Sequence, residues 1–526
     1  MALLILALGG CTTGRRGQTS ASDLHTLREV LYVEPTTLDP SKVPDLPTSE
    51  LLMHIFEGLV RTNPSNQVEP ALAESWTISK DGKTYTFHLR NDAAFSNGRP
   101  LVAADFKYSW EHALSPQTAS PVAANYLDGI LGVKDVVAGR RKDLPGVQAL
   151  DEHTLQVQID RPRAYFLGML SYPTGWAICK EAVEKNGGVV DQNALIGTGP
   201  YTLESYRPGN NVTLAANPHY WGGRPKMDRI EWPIIVDRDT IYNNFVTGRL
   251  DIVTLVPPIR YAQDRDAHKL ADAYKLLPTA SVDYLSMNEA VPVFANKLVR
   301  QAIVLAIDRA QIWRVAYKQV GTIAEGMLPP DLPAAGPLPP PTPYDPAKAR
   351  QLLAQAGYPG GKGFPPITFS FQQHEPTVAA TAQLIMANLR DNLGLTVNPQ
   401  VLEFGELINE ENKHVLQLYL SNWVADYPDP QDFLSTLFVS TAPLDRTGYK
   451  DPAFDALCAR ADAEPDPAIR AGLYSRANRI LMDDAPVLPL VFTPRIILVQ
   501  PNVQSWRANL CNLLPNTQTV KTGSRG

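Results

Sequence analysis

The stretch Pro70-Ala71-Leu72-Ala73-Glu74-Ser75-Trp76-Thr77-Ile78-Ser79-Lys80-Asp81-Gly82-Lys83-Thr84-Tyr85-Thr86-Phe87-His88-Leu89 decides the fold class. Trp76 to Ile78 and Tyr85 to Leu89 alternate apolar with polar residues, the period of a strand with one face on a core. Asp81-Gly82 supplies the turn between them, so the pair reads as a hairpin. Thr154-Leu155-Gln156-Val157-Gln158-Ile159 is a further strand of the same pattern. Elsewhere the period changes. Val299, Ala302, Ile303, Ala306, Ala310 and Trp313 recur at three and four residues, one apolar helical stripe. Asp345-Pro346 followed by Ala347 to Ala356 and Gly357 predicts another helix, with Asp345 as cap, Pro346 in the first turn and Gly357 as the left-handed stop. Strand and helix signals mix along the chain with no internal repeat, so the class is α/β.

At 526 residues the chain exceeds one hydrophobic core, and two or three domains are expected. Hydrophobic residues at 44% and charged residues at 19% describe a globular protein rather than a disordered one. A formal net charge of -6 and the absence of any dense Lys/Arg stretch argue against nucleic acid as a partner. Prolines crowd Leu328 to Pro346. Helical segments flank this run closely on both sides, which favours an ordered surface loop over an interdomain linker.

The first ten residues are almost wholly apolar and end at Cys11. The run is too short for a bilayer, which takes about 20 apolar residues, and suits the h-region of a secretory signal. Leu8-Gly9-Gly10-Cys11 looks like a bacterial lipobox, with small residues where a peptidase must approach the backbone and Cys11 free to carry lipid after cleavage. No Lys or Arg precedes it, so the true start is expected upstream. Thr12 to Ser22 reads as a flexible tether. Cys179, Cys458 and Cys511 remain; an odd number leaves at least one free thiol, and their spacing matches no zinc motif.

A series of motifs then sets a family resemblance. Glu34-Pro35-Thr36-Thr37-Leu38-Asp39-Pro40, Phe56-Glu57-Gly58-Leu59-Val60, Pro70 to Trp76, Asp81 to Phe87 and Phe95-Ser96-Asn97-Gly98 come first. Ala104-Asp105-Phe106, Gly197-Thr198-Gly199-Pro200-Tyr201, Asn217-Pro218-His219-Tyr220-Trp221, Arg300-Gln301-Ala302, Ala306-Ile307-Asp308-Arg309 and Ala356-Gly357-Tyr358 follow in order. From about Leu31 to about Pro494 the chain resembles the family 5 extracellular solute-binding proteins, the peptide receptors of ABC importers. Most of these residues build turns and cores and touch no ligand. The chain departs from the pattern at Val102, where relatives carry a capping Thr.

The resemblance implies a two-lobed periplasmic-binding-protein fold (type II, cluster C) with an extra inserted N-terminal domain. It implies residues 1–22 as signal and tether; 23–52, 178–283 and 492–526 as a discontinuous first lobe; 53–177 as the inserted domain; and 284–491 as the second lobe. The implied function is oligopeptide capture between the lobes and delivery to permease subunits. The protein would be a monomer outside the cytoplasm, in the periplasm or at the cell surface, held to a membrane by lipid at Cys11. No cofactor or metal is implied.

Chemistry concentrates in Leu420-Ser421-Asn422-Trp423-Val424-Ala425-Asp426-Tyr427-Pro428-Asp429-Pro430. Asp429-Pro430 reads as a helix start. Asp426 follows an apolar strand, at an end facing either solvent or a cleft. By resemblance Asp426 holds the ligand's α-ammonium, and Asn422, Trp423, Val424 and Ala425 flank the ligand on one side, with Val33, Glu34 and Thr36 on the other. Trp423 either walls a pocket or packs in the core, and Tyr108 either faces the ligand or packs its helix. Two other classes stay open. A receptor of the same fold can carry a nickel chelate, haem or oligosaccharide. A secreted hydrolase would need a motif, and no Gly-x-Ser-x-Gly elbow or His-Glu-x-x-His is present.

Overall fold

The computed structural model describes residues 24–442, 444–511 and 514–523. Cys11, the lipobox and the tether lie outside the described residues.

The chain begins by pairing with residues two hundred positions later. Strand Thr26–Arg28 runs parallel to Arg229–Pro233, and the sheet continues through Asn211–Ala216 to Tyr201–Arg207. A three-stranded sheet beside it joins Ile252–Val253 and Tyr274–Leu277 to Arg495–Val499, bringing the C-terminal segment back to the first half. A buried ion pair fastens that return. Lys521 Nζ lies 2.8 Å from Asp251 Oδ2 and also donates to the Thr26 carbonyl at 2.9 Å.

Between those segments the hairpin forms, with Ala73–Ile78 antiparallel to Thr84–Leu89 and Gly82 at φ +68° in its turn. Thr154–Gln158 and Val147–Ala149 complete a four-stranded sheet. Helix Ala103–Leu114 covers it, burying Phe106 and Trp110 completely. The core below runs unbroken from Phe87 and Trp110 to Leu214 and Ile497, so this unit and the first sheet share one apolar interior. Val102 makes no side-chain cap at this helix. Asp105 reaches back instead, accepting the Val102 N–H at 2.9 Å while Arg99 Nη2 donates to it at 2.7 Å.

The second half centres on a six-stranded sheet of order Thr322–Ile323, Val487–Phe492, Ser281–Met287, Leu418–Val424, Ile367–Gln372 and Val397–Leu402. Ser281–Met287 is one continuous strand of it, so the lobes part before Ser281 rather than between residues 283 and 284. Leu510 and Cys511 also pack into this half's core, against the expected assignment of 492–526 to the first lobe. A backbone bond from the Ala280 N–H to the Leu510 carbonyl at 3.1 Å holds them there. The chain crosses between the halves at 278–280 and again at 493–494. The crossings touch: Ser281 Oγ donates to the Thr493 carbonyl at 2.9 Å, and the Arg495 N–H to Thr279 Oγ1 at 3.1 Å.

The apolar stripe from Val299 to Trp313 belongs to two helices, Lys297–Ala306 and Arg309–Val315. Asp308 makes the break, because its carboxylate accepts the Gln311 N–H at 2.8 Å and caps the second helix. The proline run is an ordered loop. Leu332 and Ala335 are buried, the Ser475 hydroxyl donates to the Pro337 carbonyl at 2.7 Å, and Arg309 donates to the Thr342 carbonyl at 2.9 Å. Cys179, Cys458 and Cys511 are buried free thiols.

Candidate functional site

A cavity of about 290 Å³ lies between the halves, at the lower edge of the size of small-ligand sites. Tyr32, residues 44–47 and Arg495 wall it from the first half. Asp283, residues 420–424, Asp426, Arg446 and the start of helix Pro376–Leu393 wall it from the second. Both crossings, at Thr279 and at Thr493 and Pro494, form part of its lining.

Strand Leu418–Val424 carries the site because only one of its edges is fully used. Ser281–Met287 pairs with it along its whole length, from Val424 to Leu418. Its other neighbour, Ile367–Gln372, pairs with it at Leu418 and Tyr419 alone. From Leu420 to Val424 the second edge has no strand partner among the described residues, and these same residues line the cavity. Such an edge offers N–H and C=O groups to an extended ligand.

Asp426 stands at the end of that edge. Its own N–H donates to Asp432 Oδ2 at 2.8 Å, and the Trp423 indole donates to the same oxygen at 3.1 Å, which locks the turn. Its carboxylate accepts the hydroxyl of Tyr126, which comes from helix Ala123–Tyr126 in the first half and stacks on Tyr172 with centroids 3.8 Å apart. No Lys, Arg or His forms an ion pair with Asp426 among the described residues. Burial pushes its pKa up to about 7, against the opposing pull of the Tyr126 hydroxyl and the more distant Arg446 charge. Arg446 is already engaged with Glu411 and with Asn412 Oδ1 at 3.1 Å.

The structure brings Asn422, Trp423, Val424 and Asp426 together around the cavity. Ala425 is buried and fixes the strand, its N–H donating to the Ala280 carbonyl at 2.8 Å. Tyr108 sits elsewhere: it is outside the cavity lining, stacked on His112 at 6.2 Å with Lys180 Nζ 5.5 Å from its ring. Val33, Glu34 and Thr36 do not line the cavity either, although Tyr32 does. Glu34 is turned away to accept the Tyr206 hydroxyl and the Gly209 N–H. Thr36 acts at one remove, donating to Asp45 Oδ2 at 2.5 Å, and Asp45 does line the cavity. Tyr126, Asp283, Glu375 and Arg446 escaped sequence reasoning. Tyr126, Asp283 and Glu375 come from segments distant from 420–430, Arg446 follows that stretch closely, and none carries a local motif.

Asp429, three residues beyond Asp426, receives Arg470 on both oxygens at 2.5 and 2.6 Å. Its Oδ1 also accepts the Gln431 N–H at 2.9 Å, and the helix starts one residue later than expected, at Gln431–Phe438 with Pro430 in the cap position.

A family model described as bacterial extracellular solute-binding proteins, family 5 Middle, matches residues 67–444. The periplasmic oligopeptide-binding protein OppA of Escherichia coli (strain K12) is 31% identical over 92% of this chain and 90% of its own length. The dipeptide-binding protein DppE of Bacillus subtilis (strain 168) is 30% identical over 95% and 94%. The structure of the Escherichia coli murein tripeptide binding protein MppA superimposes with a TM-score of 0.87 at 27% identity, covering 94% of this chain and 98% of its own. The unliganded open form of MppA, at 27% identity and covering 94% and 97%, gives 0.70.

Proposed function

Because the chain belongs to the bacterial extracellular solute-binding proteins of family 5, we propose that it is the peptide receptor of an ABC importer, working outside the cytoplasm as a binding protein rather than an enzyme. The observation that carries the peptide reading is the edge Leu420 to Val424, unpaired among the described residues and ending at an aspartate with which none of their cations pairs. A peptide added to that edge gains main-chain hydrogen bonds that do not depend on its sequence. Its α-ammonium completes an ion pair with Asp426, and Asn422, Trp423 and Val424 border its path. A sugar or metal chelate would use neither the edge nor the carboxylate in this way. The lobes 23–52 with 178–283 and 492–526, and 284–491, adjusted so that the second begins at Ser281 and also takes Leu510 and Cys511, turn about the crossings at 278–280 and 493–494. Closure buries the ligand, and the closed form is what permease subunits read. Lipid at Cys11 holds the receptor at the membrane.

Native mass spectrometry of the purified protein tests the class: co-purified peptides support it, and a sugar or metal complex overturns it. Calorimetry tests the anchor. Removing one member of a buried pair costs about 3–5 kcal/mol, so Asp426→Ala should weaken a free-amine peptide by roughly two to three orders of magnitude. Acetylating the peptide's amine should weaken wild-type binding similarly and add little in the variant. Near-unchanged affinity in Asp426→Ala would remove Asp426 from the site.

A further inference from the structure

The charges around the cavity do not balance, and the surplus lies away from Asp426. Asp45, Asp283, Glu375, Glu411 and Asp426 line it, against Arg446 and Arg495. Both guanidinium groups are taken, Arg446 by Glu411 and Arg495 by Glu50, while Glu375 is paired with Arg238. Asp45 has donors on each oxygen, the Thr48 N–H at 2.9 Å and the Thr36 hydroxyl at 2.5 Å. Asp283 differs. The Tyr317 hydroxyl donates to its Oδ2 at 2.9 Å, and no Lys, Arg or His forms an ion pair with it among the described residues.

Geometry places Asp283 where a ligand side chain can reach it. It is the cross-strand partner of Asn422, so the two side chains share one face of the sheet, and both line the cavity. Glu375 stands at the cap of helix Pro376–Leu393, close enough for its charge to act on Asp283. Thr377 follows, only 7% exposed and lining the cavity, and its hydroxyl has no hydrogen-bond partner among the described residues. On this wall Asp283 has a hydroxyl donor but no cation and the Thr377 hydroxyl has no partner among the described residues, with the Arg238-paired Glu375 beside them, and a cationic donor answers the first two. Asn422 precedes Asp426 by four residues, roughly 13 Å along an extended strand. A ligand of the same rise, anchored by its amine at Asp426, brings a long side chain from about its third or fourth residue to Asp283.

We propose that Asp283, Glu375 and Thr377 form a second, acidic subsite that takes a Lys or Arg side chain, so that this receptor selects peptides with a basic residue downstream of the amino terminus. The inference rests on the peptide reading above. Tetra-alanine peptides with a single Lys at the second, third or fourth position, each compared by calorimetry at pH 7.5 with its norleucine counterpart, separate the two. The best Lys position should bind at least tenfold tighter than norleucine, and Asp283→Asn should bring that ratio to within about twofold. Glu375→Gln should lower the ratio in the same direction and serves as the second variant if Asp283→Asn fails to fold. Equal affinities for Lys and norleucine in the wild type overturn the subsite and leave the peptide reading standing. An unchanged ratio in a folded Asp283→Asn does the same. Failure of every peptide to bind overturns both.

Discussion

The seam of the first half and the wall of the cavity handle an aspartate in opposite ways. At the seam, Asp251 and Lys521 have side chains 1% and 0% exposed, and the lysine also satisfies a carbonyl, so the pair is complete without any ligand. At the cavity, Asp426 has a hydroxyl donor and, among the described residues, no cation. A completed pair holds segments of the chain together, whereas an incomplete one holds binding energy in reserve for a partner that brings the missing charge. The contrast recurs within four residues, since Asp429 is closed off by Arg470 while Asp426 is not.

The largest expected effect breaks the completed pair. Lys521→Ala leaves Asp251 buried without its cation and should cost about 3–5 kcal/mol of stability, read as a shift of the denaturant midpoint at unchanged slope. Peptide affinity of the folded fraction should not change. Asp426→Asn should do the reverse: it removes an uncompensated charge, so thermal stability at neutral pH should hold or rise while peptide affinity falls. A variant that lost stability at Asp426 as steeply as at Lys521 would erase the distinction.

The pH dependence sharpens the same contrast. Asp426 has a pKa of about 7 in the folded ligand-free chain against 3.8 for an ordinary aspartate, so between those values the folded state holds a proton that the unfolded state has lost. Its contribution to stability is therefore present at low pH and lost as pH rises towards 7. Binding an ammonium needs the ionised form, so affinity should move the other way, falling by about an order of magnitude between pH 7.5 and 5.5. Calorimetry and thermal unfolding over that range should show opposite slopes, and Asp426→Asn should flatten the affinity slope while only reducing the stability slope, to which Glu29 and Glu289, also pushed up to about 7 by burial, contribute. Tyr126→Phe should change less. Its hydroxyl favours the ionised carboxylate, so its loss should move the affinity midpoint to higher pH while leaving binding at pH 8.5 within severalfold.

How much of this was legible in the sequence follows from how local each signal is. The hairpin at Asp81-Gly82 and the Asp345-Pro346 helix were readable because turn and cap chemistry spans only a few residues. The break at Asp308 was missed because the apolar stripe stays in phase across it, and only the capping bond of Asp308 ends one helix and starts the next. In the site, the 420–430 stretch announced itself through its order of residues, and Asn422, Trp423, Val424 and Asp426 do line the cavity. Tyr126, Asp283 and Glu375 could not be found this way, because each is brought to the site by contacts between distant segments, Tyr126 with Asp426, Asp283 with Asn422 and Glu375 with Arg238. Tyr108 misled for the converse reason: an aromatic on an amphipathic helix looks alike whether it faces a ligand or Lys180.

The smallest expected effect lies far from the cavity and tests whether cap chemistry is independent of it. Val102 precedes helix Ala103–Leu114 and offers no side-chain acceptor to the helix's first N–H groups. Asp105 satisfies the Val102 N–H itself, held in place by Arg99, so one half of the usual reciprocal arrangement is present and the other is missing. Val102→Thr supplies the missing oxygen at an extended φ of -129°, which threonine adopts without strain. The variant should gain about 0.5–1 kcal/mol in denaturant unfolding and leave peptide affinity and its pH midpoint unchanged. A gain would show that Asp105 and Arg99 only partly replace a cap. A loss would mean that the apolar surface of Val102, 3 residues from buried Asp105, is worth more to the helix start than the hydrogen bond it forgoes.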